Sequence, residues 1–166
     1  RRFLDLPFSK SPILFGSHIA RTFLKNHKKA IELGRIGLIS HPQDIVLLNN
    51  LIYSLCIEGE IDEAEALMEK NENLNKSENE NIYWIATKGL LFFRKGEHEL
   101  GRFFYKEAID LARANRNKLV FNLALVNYTR EEVIIKSEFA KTLVEQLDDH
   151  LKGETNDSIL KTRDVI

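Results

Sequence analysis

At 166 residues, 43% of them hydrophobic, the chain is long enough to bury a sizeable core and is most simply read as one domain. A net charge of -1 with 30% charged residues gives a mixed surface without the basic bias of a nucleic-acid binder, and no apolar run approaches the roughly 18 residues of a membrane span. A lone cysteine, Cys56, excludes an internal disulfide, and three prolines with eight glycines favour helices over a strand-rich fold.

A chain that opens on Arg1 rather than methionine is expected to be a processed or excised piece of something longer. Residues 1–11 mix basic and apolar side chains without helical period and lack the pattern of a signal peptide, which predicts an extended arm laid on the domain through Phe3, Leu4, Leu6 or Phe8. Ser11 before Pro12 has the form of an N-cap with proline in the first turn, opening a helix that runs to about Lys25. His27 to Ile39 forms a second helix, in which Gly34 and Gly37 allow close approach of a neighbour.

Ile45 to Ile57 is apolar almost all round, so it must be sandwiched between neighbours. Gly59 interrupts the pattern, and Ile61 to Lys70 then carries one apolar stripe, Ile61, Ala64, Leu67 and Met68, against an acidic side. The polar stretch from Asn71 to Asn81 is a loop, ended by Ser77 and Glu80 at the spacing of a capping box. Ile82 to Lys95 repeats the all-round apolar pattern, Gly96 punctuates it, and Glu97 to Ala114 supplies a one-sided partner. Leu119 to Tyr128 reads as a further inner helix; Thr129 and Glu132 have capping-box spacing and predict that a last long helix, with Val133, Phe139, Leu143 and Leu147 on its stripe, starts there and ends near Gly153. Beyond it lies a mainly polar tail, 154–166, with a short helix after Asp157.

An inner helix, a glycine turn and an outer helix, recurring after about 37 residues between Gly59 and Gly96, is the signature of a helical solenoid. The residues resemble the tetratricopeptide repeat family: Leu48, Leu51, Leu55, Gly59, Ala64 and Met68 in one unit, with Pro42 closing the unit before, and Gly89, Tyr105 and Ala108 in the next. The departures are Ile52 in place of a small residue, Asn71 in place of an alanine, and Lys88 in place of a leucine. The resemblance implies an all-α superhelix of antiparallel helix pairs over 12–153, with repeats at about 12–42, 44–71, 81–114 and 116–152. By the same resemblance, a concave groove would be lined by Asn49, Asn50, Tyr53 and Cys56 in one repeat and by Tyr83, Thr87, Leu90, Phe93 and Arg94 in the next. Asparagine amides there would hold the backbone of a bound peptide, aromatic rings would take its side chains, and Arg94 would pair a carboxylate.

The chemistry of enzymes is not written in the chain. His18, His27, His41, His98 and His150 are scattered without the spacing of a helical metal site, Cys56 lies in an apolar helix without a nearby histidine, and the glycines form no phosphate-cradling loop. The acidic run Glu58, Glu60, Asp62, Glu63 and Glu65 reads as a solvated face; Arg21, Lys25, Lys28, Lys29 and Arg35 make the first region locally basic, most simply as an outer face. The expected function is therefore a non-catalytic module that binds a protein or peptide, without cofactor or metal, in the cytoplasm. Nucleic acid is not expected as a partner, and self-association is left open. The alternative is an assembly or regulatory segment of a larger enzyme or sensor.

Overall fold

The computed structural model describes residues 10–164 and 166, and among them all regular structure is helical. Residues 1–9 of the expected N-terminal arm lie outside the described residues, while Lys10 and Ser11 already belong to helix α1 (Lys10–His18). Ser11 is thus inside the helix rather than capping it, and Pro12 sits in the first turn, where the missing N–H has no intrahelical partner to lose. α1 does not run on regularly to Lys25. It passes into a π-helical turn, Ile19–Phe23, closed by the Leu24 N–H on the Ile19 carbonyl at 3.1 Å, and Lys25 then takes φ +50° to break the helix.

The chain divides into two compact units, one up to Glu80 and one from Asn81 onward. In the first, α2 (His27–Ser40) is capped by the Asn26 Oδ1, which accepts from the Lys29 N–H at 2.9 Å. α3 (Ile45–Glu58) is capped by Asp44, whose Oδ1 accepts from the N–H groups of Val46 and Leu47 at 3.1 and 2.9 Å. α4 (Ile61–Lys70) follows across Gly59–Glu60. α3 packs against both α2 and α4 and buries Leu47, Leu48, Leu51, Ile52 and Leu55 almost completely, each worth about 1.5–3 kcal/mol. The two glycines of α2 act as expected: a Cβ at Gly37 would stand 3.0 Å from both Ile13 and Leu47, and one at Gly34 would stand 3.2 Å from the Cβ of Leu51.

The capping box forms as its spacing predicts. The Ser77 N–H donates to Glu80 at 2.8 Å, the Glu80 N–H donates back to the Ser77 hydroxyl at 3.4 Å, and α5 (Glu78–Lys95) starts there. The second unit continues with α6 (His98–Ala114), α7 (Lys118–Ile134), α8 (Ala140–His150) and α9 (Asp157–Arg163), the last confirming the short helix of the tail. α7 packs against α6, α8 and α9. The two glycine hairpins match atom for atom: Gly59 and Gly96 have φ +85° and +83°, each N–H reaches the carbonyl three residues back, and the next N–H, of Glu60 and Glu97, reaches five back at 2.9 Å.

Thr129 and Glu132 do not start a helix. They lie within α7, which runs on to Ile134, and the chain turns at Lys136, φ +52°, before α8. The polar stretch from Asn127 to Glu132 looked like a helix boundary because its ionic partners sit some thirty residues earlier on α5 and α6, out of reach of any local pattern.

Candidate partner-binding surface

α3 is buried everywhere except on one row. Val46, Asn49, Asn50, Tyr53 and Ile57 are half-buried and recur at the three-and-four spacing of a single helical face; of the remaining residues of α3, only Glu58 at its end is open. Three of the side chains expected to face a partner, Asn49, Asn50 and Tyr53, fall on this row together. Cys56 does not: it is fully buried and not part of a disulfide.

The row is joined by a residue that sequence reading left among surface cations. Arg21, on the π-helical turn, donates from Nη1 to the Asn50 Oδ1 at 3.0 Å, and its guanidinium carbon lies 5.1 Å from the centroid of the Tyr53 ring. An α-helical continuation of α1 would have rotated Arg21 elsewhere; the wider turn supplies that change of register. The His27 ring also joins this cluster, 6.1 Å from that of Tyr53. One turn before Arg21, His18 meets the Thr22 hydroxyl at 3.4 Å, and burial followed by the Arg21 charge holds its imidazole below the usual histidine range. The Asn49 Oδ1 is enclosed and has no hydrogen-bond partner in the structure.

The second unit treats its expected residues differently. Thr87, Leu90 and Phe93 are buried; the Phe93 ring packs at a tilt against both Tyr105 and Tyr128, whose own rings stack at 5.6 Å. These three are core side chains and offer no surface in this conformation. Tyr83 is half-buried against the cluster of Ile82, Ala108, Ala112 and Val120. Arg94 is half-buried too, but its guanidinium already holds a carboxylate of the chain itself, donating from Nη2 to Glu131 at 3.1 Å.

That contact belongs to an ionic network centred on α7. Glu131 and Glu132 are 1% and 0% exposed. Arg130 donates from Nε to Glu131 at 2.8 Å, and Arg102 grips Glu132 with two bonds, Nε to Oε1 at 2.7 Å and Nη2 to Oε2 at 3.0 Å. Burial pushes the Glu132 carboxyl up, but bonds from Arg102 and Ser137 and the Arg102 charge outweigh it and leave the group below the usual glutamate range. Burial, then the charge of Glu132, pushes the Tyr128 hydroxyl well above its ordinary value while it donates to that same carboxylate. Arg102 also lies 5.0 Å from the ring centroid of Phe139. With its arginines occupied in this way, the network is a structural clamp joining α5, α6, α7 and the turn before α8.

No protein-family model matches the chain, and no curated protein or solved structure matches it. Among the described residues, no helix is long and apolar enough to cross a membrane.

Proposed function

We propose that this chain is a non-catalytic, tetratricopeptide-like module that receives an extended peptide or protein segment along the partly exposed row of α3. The observation that carries the reading is the contrast within α3: a helix buried on all other faces keeps one partly exposed row, and that row holds two asparagines and a tyrosine, ordered by Arg21 from a π-helical turn. The matched hairpins at Gly59 and Gly96 support the repeat character of the fold. In this reading the Asn49 and Asn50 amide N–H groups donate to guest carbonyls, and the Tyr53 ring, backed by Arg21, takes an apolar side chain.

The test is selection of peptides from a random library on the folded protein, then calorimetric titration of the recovered sequences into the parent chain and into Asn49→Ala and Tyr53→Ala variants with unchanged circular dichroism. Loss of about tenfold or more in affinity in both variants is expected, equivalent to about 1.4 kcal/mol. Peptides that bind parent and variants equally would remove the row from the site. A second reading, an assembly segment of a larger protein, is favoured by one observation. Leu100, Phe103, Ile134 and Phe139 all stand open in the second unit, and Phe103 is 60% exposed.

A further inference from the structure

We propose that two copies of this chain associate through the end of the first unit that carries the turn after the π-helical segment. α2, α3 and α4 are packed neighbours joined by the short links His41–Asp44 and Gly59–Glu60, so they run antiparallel. The turn at Leu24–Asn26 and the turn at Gly59–Glu60 therefore lie at the same end. Two contacts bind this arrangement: the His27 ring against Tyr53 near the C-terminal end of α3, and the Arg35–Glu63 ion pair at 2.6 Å, which ties α2 directly to α4.

That end has the make-up of a self-complementary face. Leu24, 67% exposed, and Phe23, 38% exposed, stand open at the first turn. On the same turn and the start of α2, Lys25 and Lys28 are exposed; across the end, Glu58, Glu60 and Asp62 are exposed around the glycine turn. A two-fold rotation sets the basic turn of one copy on the acidic turn of the other, twice, with the two apolar side chains between them. An anionic bilayer or a nucleic acid would meet the lysines but also the three carboxylates beside them, and would be repelled by the second group; a second copy satisfies both. The face is small, so the association is expected to be weak and to loosen with salt.

Sedimentation velocity on the full chain, over about a hundredfold range of concentration at low salt, tests this. The parent is expected to dimerise; Lys25→Glu with Lys28→Glu, and separately Glu58→Lys with Glu60→Lys, are each expected to weaken dimerisation by about tenfold or more. An equimolar mixture of the two variants is expected to form heterodimers as tightly as the parent, because each then offers the charge the other lacks. Leu24→Ser, at an exposed site that leaves the fold untouched, is expected to weaken the parent dimer independently of charge. A parent that stays monomeric, dimerisation indifferent to all three variants, or a mixture that fails to pair overturns the proposal.

Discussion

Replacing Glu132 by glutamine removes the charge that two Arg102 bonds and the Tyr128 hydroxyl converge on, while keeping the side-chain volume. Arg102 is left with its charge facing a neutral amide at a site where Glu132 itself has no exposure and Arg102 is largely enclosed. Breaking a buried pair from one side costs about 3–5 kcal/mol; partial access of Arg102 to water argues for the lower figure, about 3 kcal/mol. For a unit of this size, each kcal/mol lowers the melting temperature by about 4–8 °C, so a fall of about 12–24 °C is expected. Trp84 is the lone tryptophan and is buried in the second unit, so its fluorescence during urea or thermal unfolding reports this unit directly. The partner change, Arg102→Met, is expected to cost a similar amount, and the double variant clearly less than the sum, with a coupling of about 2 kcal/mol. A loss under about 1 kcal/mol for Glu132→Gln, or strict additivity in the double variant, would refute the view that these buried charges hold the helices together.

The same carboxylate sets a pH dependence. Its folded pKa lies below the ordinary 4.5, so its stabilisation is full above that value and is lost as the pH falls through the folded one; the gap in melting temperature between parent and Glu132→Gln is expected to narrow on acidification, measured by the Trp84 signal. Gly101→Ala is expected to cost about 1–3 kcal/mol, because the new Cβ would stand 2.5 Å from the Phe93 ring, whereas Gly59→Ala meets no neighbour and is expected to cost about 1 kcal/mol through its φ of +85° alone; chemical denaturation of the pair distinguishes packing from backbone strain. Asp44→Ala removes the acceptor for two N–H groups at the start of α3 and is expected to lower stability by about 1 kcal/mol in a thermal melt.

Where a signal is local, the sequence carried it. α4 runs from Ile61 to Lys70 as its apolar stripe requires, α3 closes at Glu58 because Gly59 alone can take the left-handed turn without cost, and the Ser77–Glu80 box opens α5. The failures are long-range. Thr129 and Glu132 satisfy the capping-box spacing, yet Asn117 already caps the helix and Arg94 and Arg102 neutralise its acids from other elements, so no break is needed. A continuing apolar period through Leu125, Val126 and Val133 was the available signal against a boundary. The π-helical turn had no comparable sign, because one extra residue in a turn changes register without changing composition; Arg21 consequently read as one more basic side chain, although its place on Tyr53 is what distinguishes it.

The burial of these positions decides how binding must be assayed. Leu90 and Phe93 sit at positions that the repeat resemblance assigns to a groove, but both are buried, Phe93 against the rings of Tyr105 and Tyr128, so truncating either removes core contacts worth about 2–5 kcal/mol. A variant such as Phe93→Ala would lose a partner simply by loosening the unit, and its failure to bind would carry no information about contact. Asn49, Asn50 and Tyr53 are different: each keeps partial exposure, so truncating it removes less buried contact than truncating Leu90 or Phe93. Arg21 adds a further separation of causes. Arg21→Lys keeps the charge but cannot reproduce the planar guanidinium laid on Tyr53, so a binding loss in that variant with the melting temperature retained would trace to the ordering of the row rather than to net charge.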